Sequence, residues 1–488
     1  MERLTPLDDL FVTLERDELP MHIGSLLILD GPMPTYDELV ACMAAKLHRI
    51  PRYRQRLKEV PLRLGLPVWQ DDPHFKLTYH LRHTAVPAPG GHEELRILAG
   101  RLLSQRLDTS RPLWEMWLIE GLAEGRFAIL NKVHHAMIDG LSGADLMEVI
   151  LDADPDAEVG EPEPWQPAPE ASTVEMVARG VGASVRNPVR TARQIAEELQ
   201  QRPKEFAQST AAVTVGALRA GRKITHTEDH LIGRPGPHRR WDWALGDLGV
   251  VKDVKNALGG TVNDVILTAV SGGFRSFLLG RGVELAPDDT VRTMVPVSTR
   301  PSDGESGGNE VAAMFVDLPV GVADARDRLV TVAESMAEVK ASGMMQGTDA
   351  LIEGAVFVPP MLWAAGGRIA SHARQPSIAT ITTNVPGPQV QLYMLGRPLR
   401  EMLPYVPLGM NQLITVAIMS YNGAITCGIT ADWTPYLTSR WWPRASRHRW
   451  RNWPRRSDGR GAWISVVRCP RSSAPRGAVA PGSRPQDR

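Results

Sequence analysis

Between Phe127 and Gly140 a short apolar run passes straight into paired histidines and then an Asp-Gly step, an order that few folds can hold. Residues 127–133 predict a strand. Successive strand residues face opposite ways, so His134 and His135 should point to opposite sides. Asp139 follows His135 by four residues, placed to orient that ring or to hold a nearby Arg. Gly140 lets the chain turn sharply into a helix whose Leu141, Ala144, Met147 and Leu151 recur at helical spacing. An imidazole of ordinary pKa, about 6.5, is suited to take a proton from an alcohol or thiol. No Gly-x-Ser-x-Gly elbow precedes the pair and no cysteine sits as an evident nucleophile, so direct base-assisted attack centred on His135 is the simpler chemistry.

The surrounding pattern mixes strands and helices in irregular order, which argues for α/β packing with α+β layering and against a doubly wound sheet. In the first half, helices are expected over 8–15, 35–47 (Thr35 and Glu38 at capping-box spacing) and 93–107. Strands are expected over 22–29, near 68–69, in the 77–81 region and over 114–119. Gly121 and Gly125 flank the turn that would join this last strand to the His strand. In the second half, helices over 247–258, 261–279 and 323–340 alternate with strands over 291–297, 312–318 and 378–383. Asn384 would open a rigid turn with Pro386 and Gly387, and Asn422-Gly423 a hairpin. Asn263 would lie in the first turn of its helix, near the end that favours developing negative charge; the alternative is that Asn263 and Asp264 merely satisfy free backbone N–H groups.

A chain of 488 residues exceeds one ordinary core, and its punctuation divides it. Residues 1–151 read as one domain and 241–433 as a second. Between them, 152–169 is acidic and proline-rich, a surface linker, and 173–218 reads as basic helix, either a solvated face or a match for an anionic membrane. Lys+Arg and Asp+Glu are 55 each, so net charge implies no nucleic-acid partner. Three scattered cysteines form neither a disulfide framework nor a zinc site, and His22, His48, His74, His80 and His83 lack ligand spacing, so no metal is expected. With no signal core and no apolar run of roughly 18 residues, the expected location is the cytoplasm, or peripherally the inner membrane face or a lipid droplet.

Taken together, the ordered set resembles the bacterial wax ester synthase/diacylglycerol acyltransferase family across about residues 1–432. It comprises the histidine motif from His134 to Gly140, then Pro112, Leu113 and Trp114, then Asn263-Asp264, Gly308-Asn309 ahead of a strand, and Asn384 to Pro388. The resemblance implies two chloramphenicol-acetyltransferase-like domains with a channel at their interface, admitting acyl-CoA and a lipid alcohol. It further implies ester synthesis on diacylglycerol, and on long-chain alcohols to give wax esters, without a cofactor. By carry-over His135 is the base, His134 supports the strand end or lines the channel, Asp139 is a structural carboxylate and Asn263 a candidate oxyanion donor. Gly140, Pro112, Leu113, Trp114, Asn309, Asn384, Pro386 and Gly387 shape the substrate channel. The alternatives are a condensation-type or other CoA-dependent acyltransferase, or a lipid-binding relative without turnover.

Past Asp432 the composition changes. Residues 434–488 are rich in Arg, Trp, Pro, Ser and Gly without helical or strand period. They read as a disordered basic tail or, the reading preferred here, as out-of-frame sequence replacing a last helix near Thr434. Acceptor identity, acyl length and oligomeric state are not encoded in any motif.

Overall fold

A computed structural model of the protein describes residues 2–61, 65–137, 147, 149–172, 175–176, 225, 227–298, 311–341 and 378–433. Asp139, Gly140, Asn309, the basic segment 177–218 and the tail beyond residue 433 lie outside them.

The first half supplies β1 (Glu2–Arg3), α1 (Pro6–Leu14), β2 (His22–Leu29), α2 (Tyr36–Lys46), β3 (Gln55–Lys58), β4 (Val68–Asp71), α3 (Leu77–His80), β5 (Leu81–Ala85), α4 (His92–Ser104), β6 (Trp114–Glu120) and β7 (Phe127–His134). The second supplies β8 (Arg239–Asp247), α5 (Leu248–Leu258), α6 (Val262–Gly280), β9 (Val291–Ser298), β10 (Val311–Leu318), α7 (Ala325–Ala341), β11 (Thr380–Pro386), β12 (Tyr393–Met394), β13 (Arg397–Tyr405), β14 (Ile414–Tyr421) and β15 (Ala424–Asp432).

Local chemistry explains most starts and stops. Thr35 and Glu38 close the expected capping box on α2, and Thr261 and Asp264 close another on α6. Asp247 caps α5 by accepting from the Val250 N–H. Asn422 and Gly423 both adopt positive φ, 44° and 79°, which is the twist a two-residue hairpin needs between β14 and β15. Two expectations change. Leu77–His80 is a single helical turn and the strand begins only at Leu81. The strand expected to end before Asn384 runs through it to Pro386, because β14 pairs in parallel along its whole length.

Two six-stranded mixed sheets dominate. The first runs β12-β13-β2-β7-β6-β5 and the second β10-β9-β11-β14-β15-β8. The β6–β7 hairpin forms as expected. Strands β12 and β13 come from the second half of the chain, yet β13 pairs antiparallel with β2 and completes the first sheet. One face of the first sheet packs on α4, and Trp241 and Trp243 of β8 close that core from the second sheet. Helices α5, α6 and α7 cover the second sheet, burying Ile414, Val416 and Ile418.

The sheets touch most closely where β13 crosses β15. Thr426 and Thr430 donate to the carbonyls of Met402 and Val406 at 2.7 and 2.9 Å. Between them lies Gly428, where a β-carbon would overlap the Pro404 carbonyl oxygen. Gly428→Ala should therefore push the sheets apart and cost about 1–3 kcal/mol, the usual penalty of overpacking. Denaturant midpoints check this; an unchanged midpoint would mean the crossing is not tight.

Candidate active site

β7 is buried along its whole length, a consequence of its apolar run lying between β2 and β6. Its ladder with β2 places His134 opposite His22, and one further bond, from the His135 N–H to the Met21 carbonyl at 2.9 Å, carries the register past the strand's end. Alternation along this ladder puts Asn131 and Val133 on one face and Lys132 and His134 on the other, and His135 opens the helical turn His135–Met137 just past the strand.

The two faces differ in kind. On the first lies an apolar cavity of about 100 Å³ where the two sheets meet. Ile23, Ser25, Asn131 and Val133 line it from the first sheet, Thr383, Val385, Ala417 and Met419 from the second, with Met147 and Tyr405 completing the wall. The half-buried ring of His135 is stacked on Phe11 with centroids 3.9 Å apart. Desolvation, with a smaller contribution from neighbouring His134, pushes its pKa down to about 4, so the ring is neutral at pH 7.

On the second face His134 is fully buried. Its Nδ1 accepts from the Ala136 N–H at 3.1 Å, so the neutral ring carries its proton on Nε2, which points toward Glu15 Oε1 at 3.8 Å. Burial, then the Arg106 charge, lowers its pKa to about 3. Glu15 is in turn paired with Arg106 at 3.2 Å and accepts from the Met21 N–H at 3.2 Å. Lys132, also fully buried, donates to the carbonyls of Leu102 and Gln105 at 3.0 and 2.8 Å and so ties β7 to the end of α4. His134 thus holds the strand end and has no proton path to the cavity face. Glu15, Arg106 and Phe11 have no signature in sequence; they are distant in the chain and assemble only through the β2–β7 register.

Pro112, Leu113 and Trp114 form the floor of the same strand end. The Leu113 carbonyl accepts from the His134 N–H at 2.9 Å. Trp114, wholly buried, stacks on Tyr53 and His80 at 4.2 and 4.7 Å and donates its indole N–H to the Tyr53 carbonyl at 2.8 Å. Asn263 and Asn384 are brought together: the Asn384 amide donates to Asn263 Oδ1 at 3.1 Å. Asn384 pairs with Ile418, which is buried under the helices, while its neighbours Thr383 and Val385 line the cavity. The asparagine pair thus lies at β11 between two cavity-lining residues, and Ile418 lines the cavity as well. Beyond Pro386, the Gly387 N–H donates to Ser420 Oγ at 3.3 Å, pinning the turn to β14.

Among the described residues no group of three or more His, Cys, Asp or Glu side chains is arranged to hold a metal ion, and no helix is long and apolar enough to cross a membrane.

Comparison with known proteins gives consistent matches. Residues 4–266 match the family model for the wax ester synthase/diacylglycerol acyltransferase catalytic domain, and residues 307–436 match its C-terminal domain. A putative diacylglycerol O-acyltransferase of Mycobacterium tuberculosis is 33% identical over 439 residues, 88% of this chain and 86% of that protein. A probable diacylglycerol O-acyltransferase of the same organism is 33% identical over 446 residues, 89% and 91% of the two chains. Among solved structures, a wax ester synthase/diacylglycerol acyltransferase from Marinobacter aquaeolei VT8 superposes with a TM-score of 0.59 at 26% identity, covering 90% of this chain and 94% of that one. The first condensation domain of the CDA synthetase shares the fold alone, with a TM-score of 0.53 at 15% identity over 93% and 94%.

Proposed function

The chain belongs to the wax ester synthase/diacylglycerol acyltransferase family, and from that premise we propose that it moves a long-chain acyl group from acyl-CoA to the hydroxyl of diacylglycerol, and to long-chain alcohols. The observation that carries this reading is His135, an imidazole just past the end of the strand whose Asn131 and Val133 line an apolar cavity between two sheets.

In the reaction His135 takes the proton of the acceptor hydroxyl as its oxygen attacks the thioester carbonyl. The tetrahedral intermediate collapses, the C–S bond breaks, and the proton passes to the departing thiolate of coenzyme A. No cofactor enters the scheme. His134, Glu15 and Trp114 position the base. Asn263 is held by Asn384 on the strand whose Thr383 and Val385 line the cavity, and we keep it as the oxyanion donor.

The acceptor and the product are both lipids, so we place the working enzyme at a lipid surface.

The pH profile tests the base. An unperturbed histidine would lose about three quarters of its neutral form between pH 8 and pH 6. Here the folded-state pKa is about 4, so the competent form persists and is lost only as pH falls through that value. Initial rates at subsaturating acyl-CoA should be nearly level from pH 8 to pH 6. A profile falling with a midpoint near 6.5 would contradict a desolvated base.

A further inference from the structure

We propose that residues 46–58 form a docking surface for an anionic phospholipid bilayer, and that the acidic segment 152–170 is a strap that covers this surface until a bilayer displaces it. The proposal rests on the reading above that the acceptor is a lipid, and it adds the surface and its control.

The stretch from Lys46 to Lys58 carries Lys46, Arg49, Arg52, Arg54, Arg56 and Lys58 and not one Asp or Glu. The strap carries Asp152, Asp154, Asp156, Glu158, Glu161, Glu163 and Glu170 and no Lys or Arg. In the structure the two lie against each other. Asp152 takes Lys46 Nζ at 2.8 Å, Glu163 lies 3.8 Å from His48, and Glu170 bridges Arg56 and Lys58 at 2.7 and 2.9 Å. Trp165 pins the middle, under the Arg54 guanidinium at 4.8 Å and edge-on to Phe75 at 6.1 Å.

The seat is shallow. Most of the strap is exposed, including Glu163 and Glu170, whose ion pairs are of the solvent-screened kind that contribute little individually, while Asp152 anchors its start through part-buried Lys46 and a backbone bridge to Tyr393. Five prolines between residues 155 and 169 keep it extended, so lifting it off releases little chain entropy. Its carboxylates stand where lipid phosphates would: Glu170 shared between two cations is the contact a phosphate makes. The cations follow a turn and an edge strand and do not converge on a cavity. Arg56 and Lys58 are alternate residues on one face of β3, about 6.6 Å apart along the strand. A row of that kind matches a field of headgroups better than a single soluble phosphate. The same turn reaches the site, because Tyr53 stacks on Trp114, the cross-strand partner of Val133.

Co-sedimentation of the full chain with phosphatidylglycerol/phosphatidylcholine vesicles, against phosphatidylcholine alone, tests this. Each basic residue near an anionic surface is worth about fivefold in partitioning. Glu163→Gln/Glu170→Gln should therefore bind the anionic vesicles about tenfold more tightly than wild type, and adding Arg56→Glu/Lys58→Glu should remove the gain. A Glu-specific protease should cut residues 158–163 faster when anionic vesicles are present. The proposal is overturned if the Gln variant gains nothing, if it binds neutral vesicles equally, or if the charge-reversed form binds as well. Loss of the gain to coenzyme A or inorganic phosphate at constant ionic strength would reassign the surface to a soluble ligand and overturn it too. Acyl transfer to a detergent-dispersed acceptor, measured in parallel, should be equal in all variants. Its absence from wild type would defeat the functional reading and leave the vesicle result intact.

Discussion

His135→Ala is expected to lower kcat/KM about a thousandfold, a loss of about 4 kcal/mol in transition-state stabilisation. The figure follows from what a positioned base contributes when no second group can take its place. His134 is the nearest imidazole, but its Nδ1 is occupied by the Ala136 N–H and its Nε2 faces Glu15 on the far side of the strand. Stability near neutral pH should change little, since the ring is half-buried and its one ring contact among the described residues is the stack on Phe11. The measurement pairs ester product with free thiol. Equal loss of both identifies the base. Thiol release continuing without ester would mean that water has replaced the alcohol, and turnover within tenfold of wild type would remove His135 from the chemistry. His134→Ala should divide the other way, lowering the unfolding midpoint because it empties a buried site and strips a partner from Glu15.

Much of this arrangement was legible in the chain because its determinants are local. The largely apolar stretch 127–133, flanked by Gly125 and the histidine pair, reads as a buried strand, and Thr35 with Glu38, or Asn422 with Gly423, specify their own cap and turn. What escaped is non-local. Nothing in residues 397–405 announces that they will leave the second half and pair with β2, since an edge of either sheet would satisfy the same pattern. Glu15 carries no motif and matters only because the β2–β7 register delivers His134 to it. Asn384 preceded Pro386 and so suggested a turn, but parallel pairing with β14 outweighed that cue. The cavity wall is drawn from both sheets, and no single stretch of sequence describes it.

The desolvation that keeps His135 neutral has a second consequence, a steep acid limb in stability well above the range where carboxylates titrate. His22, His134 and His135 are neighbours at the β2–β7 end, and burial lowers the pKa of each: well below its usual value for His22, to about 3 for His134 and to about 4 for His135. An unfolded chain protonates them near 6.5, whereas the native state does not. A depressed folded-state pKa means that stability is fully present above the unfolded value and drains away as pH falls below it toward the folded one. Each such group removes about 1.4 kcal/mol per pH unit across that window. Between pH 8 and pH 5.5 the three together should remove about 4 kcal/mol, a large part of a typical domain's margin. Lys132, lowered to about 8, is already charged in both states near pH 6 and adds no slope there. Denaturant midpoints across that range, at fixed ionic strength, measure the effect, and His22→Gln should remove about one third of it. His22 alternates with cavity-lining Ile23 along β2 and so faces the other side of the strand; that variant should flatten the stability curve while leaving the pH profile of turnover unchanged. If stability were level from pH 8 to pH 5.5, the strand end would have to be hydrated, and the neutral base at its tip would lose its physical cause.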